Sequence, residues 1–121
     1  MTDTRSTISS VLRTLRDAWL ARGEATDAQG INRGLCEEFA WEAIGVLAVH
    51  GMVAVERDAF DDGYPGHVWI EAEGRHYDAE ACAGVADWRE LPLFVRSRAK
   101  EATRAVRRPS PAQSECALPE P

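Results

Sequence analysis

Residues 67 to 80 read HVWIEAEGRHYDAE, and the way this stretch folds decides the rest. Val68, Ile70 and Ala72 alternate with His67, Trp69 and Glu71, the period of a β-strand, and Glu73 with Gly74 then offers a two-residue turn. That turn pairs Ala72 with Arg75 and fixes every other pair, setting His67 opposite Glu80 and Trp69 opposite Asp78. Opposed residues share a face, as do alternate residues along a strand. Val68, Ile70, Ala72, Tyr77 and Ala79 therefore form an apolar face, while His67, Trp69, Glu71, His76, Asp78 and Glu80 gather on the other. Asp78 lies diagonal to His67, roughly 7–8 Å away between backbones and within side-chain reach. A three-residue turn would send Asp78 to the apolar face and a four-residue turn would keep it, so the constellation depends on register.

Upstream, NRGLCEEFAWEA (32 to 43) puts Cys36 at the mouth of a helix running to about His50, with Phe39, Ala40, Ala43, Ile44 and Leu47 as its apolar face and Gly51 as its stop. A helix N-terminus favours the thiolate, because backbone N–H groups and the helix dipole stabilise the anion. An isolated cysteine on such a helix is more often a small buried side chain. The company of an imidazole and a carboxylate favours a nucleophile instead, with His67 as base and Asp78 as its orienter. The backbone N–H of Cys36 offers half of an oxyanion hole, and Gln29 or Asn32, both shortly before it, offers a side-chain donor for the other half. Trp69 would shield the His–Asp pair from water, and Glu80 supports the same face. His76 and Glu80 beside His67 and Asp78 are possible metal donors, but two neighbouring strands do not close a metal site unaided. No metal and no cofactor are expected.

The rest of the chain builds around these two stretches. Residues 6 to 23 place Ile8, Val11, Leu12, Leu15 and Trp19 on one helical stripe, opened by a Ser or Thr cap and closed by Gly23. EATDAQGINRG (24 to 34) reads as a polar linker, MVAVER (52 to 57) as a short strand, and DAFDDGYPG (58 to 66) as an acidic loop in which Asp61 and Asp62 precede His67. ACAGVADWRELPLF (81 to 94) is mixed, with Trp88, Leu91, Leu93 and Phe94 set to pack on the core, and residues 95 to 107 read as a final helix. The expected fold is α+β: an N-terminal helix and a central cysteine-bearing helix packed on a small antiparallel sheet, one domain over residues 1–106. The Pro- and Ser-rich residues 107–121 are expected to be a disordered tail.

Charge bears on partners. The chain carries a net charge of −6, yet residues 1 to 95 hold 17 acidic and 8 basic side chains while residues 96 to 108 hold six basic and one acidic. An acidic body argues against binding duplex nucleic acid, and the basic run is most simply a solvated helix face. Neither a long apolar run nor a basic-then-apolar leader is present, so no membrane association is expected. Cys36, Cys82 and Cys116 have no disulfide-framework or zinc-ribbon spacing and read as reduced thiols of a cytoplasmic protein.

Taken in order, these motifs resemble the transglutaminase-like branch of the papain-like cysteine peptidases. Gly34, Cys36, Phe39 and Ala40 match its G-x-C-x-x-F-A at the start of the central helix; His67, Trp69, Ile70 and Glu71 match its H-x-W-[IV]-E strand; and Asp78 matches the aspartate of the next strand. The similarity covers roughly residues 30 to 82. The Cys36 to His67 interval is short for the family, and Ala79 stands where proline often follows the aspartate. The resemblance implies a papain-like core with Cys36 as nucleophile, His67 as base and Asp78 as orienter. It also implies a thioester intermediate, hydrolysed or transferred to an amine, and a protein or peptide substrate. The contrasting expectation is a non-catalytic binding or inhibitory module on the same fold. The sequence leaves open the oligomeric state and the choice among peptidase, deamidase and transglutaminase chemistry.

Overall fold

The computed structural model describes residues 3–60 and 64–107. It is an α+β structure of four helices and one three-stranded antiparallel sheet in the order β1-β2-β3. Helix α1 (Thr4–Ala21) buries Ile8, Leu12, Leu15 and Trp19, the stripe the sequence predicts. Its cap is Asp3, whose carboxylate accepts from the Ser6 N–H, in place of the expected Ser or Thr. A carboxylate is the stronger acceptor and complements the helix dipole as well. Gly23, at φ 80°, turns the chain away.

The expected polar linker contains a helix, α2 (Ala28–Gly34), capped by the Asp27 side chain on the Gly30 N–H at 2.8 Å. Two glycines in seven residues hide it from a propensity reading, and burial of Ile31 and Asn32 is what holds it. Leu35 serves as the C-cap of α2 and the N-cap of α3 (Cys36–Val49): its N–H donates to the Ile31 carbonyl at 2.8 Å and its carbonyl accepts from Phe39 N–H at 2.9 Å. This one-residue corner places Cys36 at the first position of α3, and no side chain caps that end.

Strand β1 is Val55–Ala59, three residues later than expected at its start, because Gly51 (φ 79°) and the segment to Ala54 carry the chain off α3 first. Strands β2 (Tyr64–Ala72) and β3 (Arg75–Tyr77) form the anticipated hairpin, with Ala72 paired to Arg75, Glu71 to His76 and Ile70 to Tyr77. Glu73 (φ 52°) and Gly74 (φ 75°) both adopt the left-handed region, the two-residue turn that matches the twist of its strands. The ladder ends at Tyr77, sooner than expected, so the anticipated pairs Trp69–Asp78 and His67–Glu80 are not formed in the sheet. From Asp78 the chain bends away and returns to bridge His76 with Val85. The return depends on Gly84, at φ 82°: a Cβ there would meet the Tyr77 ring at 2.6 Å.

The two faces divide as the alternation predicts. Val68, Ile70, Ala72, Tyr77 and Ala79 join α1, α2 and α3 in the main core. On the opposite face Trp69 and Ala59 meet Leu91 and Phe94, contributed by the segment that contains a 3₁₀ turn (Trp88–Glu90) and helix α4 (Pro92–Arg107). The central strand β2 is thus covered on both sides while β1 leaves residues 55 to 58 exposed, and His67 and Asp78 are interior. Among the described residues no helix is long and apolar enough to cross a membrane. The expected disordered tail beyond Arg107, Cys116 and the Asp61–Asp62 loop face lie outside the described residues.

Candidate active site

His67 is wholly buried and its Nε2 lies 3.0 Å from Asp78 Oδ2. A carboxylate can only accept, so Nε2 carries the proton and donates it to Asp78. The neutral ring is thereby fixed in the tautomer whose Nδ1 has a lone pair, and among the described residues this buried Nδ1 has no partner in hydrogen-bond geometry. Asp78 is itself held: its Oδ1 accepts from the backbone N–H of Glu80 at 2.9 Å and of Ala81 at 2.7 Å. The departure of the chain from the ladder makes this possible, because only a turn brings two consecutive N–H groups back onto the preceding carboxylate.

Cys36 is half-buried beside that imidazole, and in the neutral state its thiol donates to the Gly66 carbonyl over 3.7 Å. Gly66 sits at φ 91°, a conformation that glycine adopts without strain immediately before His67. Burial raises the thiol pKa, but the His67 ring, its charge, and the backbone N–H groups of Val68 and Glu37 outweigh burial and leave the thiol below its ordinary value. Burial pushes His67 down; its hydrogen bond to Asp78, the adjacent Cys36 sulfur and the charges of both reverse this and hold it up at about 9. The two groups favour the thiolate–imidazolium form together, with Nδ1–H donating to the sulfur once the proton has moved.

Aromatic rings exclude water around this pair. Trp69 stacks on His67 at 5.9 Å between centroids and Phe94 meets it edge-on at 5.4 Å. Trp69 in turn stacks on Trp88 at 5.6 Å. The Trp69 indole N–H donates to His76 Nδ1 at 3.1 Å, so His76 faces the indole, and burial holds its own pKa down. Among the described residues no three His, Cys, Asp or Glu side chains converge as a metal site.

The two oxyanion candidates lie in different places. Asn32 is buried and lines, with Cys36, Trp69 and Asp78, a void of about 10 Å³, room for roughly one water. Gln29 lies on the wall of a groove between α2 and α4. The Asn32 amide donates to Glu80 Oε1 at 2.8 Å, which leaves its second N–H unused by that bond. Glu80 also accepts both η nitrogens of Arg96, at 2.8 and 2.9 Å. The bonds tie α2, just before Cys36, to the turn that carries Asp78 and to α4. Arg96 and Gly66 were not singled out in the sequence, and Phe94 was expected in the core but not against His67, since each acts through a contact distant along the chain. Only the glycine before a histidine carries a local signal.

Cys82 is a different kind of thiol. It is buried against the Ala79 carbonyl at 3.4 Å, and burial pushes it up to about 11. Comparison with family models, with curated proteins and with solved structures finds no match to this chain.

Proposed function

We propose that this protein is a thiol-dependent amide hydrolase or acyl transferase, a compact relative of the transglutaminase-like cysteine peptidases with a Cys36, His67, Asp78 triad. The observation that carries the reading is the His67 ring: locked through Nε2 by a buried carboxylate, it keeps an unpartnered, buried Nδ1 for a cysteine at a helix start. A purely structural histidine gains nothing from an unsatisfied buried nitrogen, which is costly unless it is used.

In the reaction, Nδ1 takes the thiol proton and the thiolate attacks the substrate carbonyl. The oxyanion of the tetrahedral intermediate is met by the backbone N–H of Cys36, with the second N–H of the Asn32 amide as the side-chain donor. The imidazolium then gives its proton to the departing amine, the C–N bond breaks, and a thioester remains on Cys36. Water or a second amine, deprotonated by His67, attacks that thioester and releases the thiol. Asp78 stays ionised throughout and stabilises the imidazolium.

Acetylation by p-nitrophenyl acetate tests the first half-reaction without knowledge of the natural substrate. Intact-mass analysis of quenched samples should show one acetyl group, mapped to Cys36, formed quickly by the native chain. It should be lost in Cys36→Ala and slowed by about 10²–10⁴-fold in His67→Ala. Acetylation elsewhere, or at Cys36 with the same rate in both proteins, would remove the basis for the reading.

A further inference from the structure

Helices α2 and α4 frame an open groove of about 310 Å³, lined by Gln29, Arg33, Leu93, Arg96, Ser97 and Lys100. Among the described residues no carboxylate lines it, in a chain whose net charge is −6. Arg96 spends two N–H groups on Glu80 and keeps three. Arg33 and Lys100 are exposed and make no hydrogen bond or ion pair with another side chain among the described residues. Two uncompensated cations therefore flank a third that Glu80 holds in place. The amide of Gln29 and the hydroxyl of Ser97 add neutral donors, and Leu93 offers an apolar wall for an aliphatic stem.

The groove adjoins the candidate active site through a short run of contacts. Asn32 lines the void behind Cys36 and donates to Glu80, Glu80 binds Arg96, and Arg33 is the next residue after Asn32. Arg33, on the groove wall, precedes Cys36 by three residues, which keeps their backbones within roughly 11 Å of each other. We propose that the α2–α4 groove is a substrate subsite that reads a carboxylate close to the reacting amide, either an acidic side chain or the free C-terminus of a peptide. This rests on Cys36 being the nucleophile. A short monoanion suits the groove better than a polyanion, since the acidic body repels extended negative charge.

Three affinity labels test the proposal on the full chain: bromoacetyl-Gly-Glu-amide, bromoacetyl-Gly-Gln-amide, and bromoacetyl-Gly-Gln with a free carboxyl end. The neutral label reports thiol reactivity in each protein, so the acid-to-neutral ratio of Cys36 alkylation rates is the readout. One or both acidic labels should react about fivefold faster than the neutral one at low salt, the size expected for two exposed ion pairs, and the ratio should fall towards one in Arg33→Gln/Lys100→Gln. Which acidic label is favoured distinguishes side-chain from terminal carboxylate. Equal rates for all three, or an advantage that survives the double substitution, would overturn the subsite. A second measurement is independent of the thiol: in Cys36→Ala, acetyl-Gly-Glu-amide should shift the backbone amide resonances of Arg33 and Lys100 and acetyl-Gly-Gln-amide should not. Like shifts from both peptides, or none, would overturn the subsite even if Cys36 proved reactive. Charge-selective shifts with an inert thiol would support the groove as a carboxylate site while removing its link to catalysis.

Discussion

At the scale of single residues, the site depends on where one proton sits on one ring. Asp78 is an acceptor at both oxygens, two backbone N–H groups on Oδ1 and the His67 Nε2–H on Oδ2. Replacing it with Asn preserves shape and lets the amide oxygen keep the two backbone bonds, but turns an N–H₂ group towards Nε2. The ring must then carry its proton on Nδ1 and present no lone pair to the thiol. Asp78→Asn should therefore fold with thermal stability close to that of the native chain, while Cys36 acetylation at neutral pH falls by about 10³–10⁴-fold, measured by the same mass assay. Retained acetylation would mean that the tautomer does not matter. That Cys36, His67 and Asp78 come together was legible because each residue type is chemically distinctive. The partners of Glu80 were not, because Arg96 belongs to a basic run that looks uniformly solvated until α4 is folded onto the sheet.

At the scale of elements, the hairpin register was legible because strand alternation and a two-residue turn together leave a single pairing. Its length was not: nothing in Tyr77-Asp78-Ala79 announces that the backbone abandons the ladder to bond the Asp78 carboxylate. Helix α2 was missed for the converse reason, since it is stabilised by burying Ile31 and Asn32 and has little intrinsic propensity. The turn itself leaves room for improvement, because Glu73 occupies a left-handed position, φ 52°, that costs a side chain about 1 kcal/mol and suits asparagine better. Glu73→Asn should stabilise the chain by about 0.5–1 kcal/mol in urea unfolding, with Cys36 reactivity unchanged. Destabilisation would indicate that the Glu73 side chain supports the fold in some other way.

At the scale of the whole molecule, a central strand covered on both faces sets the electrostatics of the site. Helices α1 and α3 close one side and the 3₁₀ turn with α4 closes the other, so the neighbours that raise the His67 pKa act in a place from which water is largely excluded. The sequence anticipated Trp88, Leu91, Leu93 and Phe94 as core residues but not that they form a second core over Trp69, because a short apolar segment after a loop carries no information about which face it will meet. The consequence is kinetic. Thiolate forms as pH rises through the lowered Cys36 value, and imidazolium is lost as pH rises through about 9. Acyl transfer, which needs both, should follow a bell, whereas alkylation needs only the thiolate and should rise to a plateau. The measurement that tests the central claim most directly is the pH dependence of Cys36 alkylation by iodoacetamide, in the native chain and in His67→Ala. The account predicts a native midpoint below the ordinary thiol value of about 8.5, returning towards that value in the variant. A native midpoint at or above the ordinary value, unchanged by the loss of His67, would contradict the Cys36–His67 pair and leave the protein as a binding module on this fold.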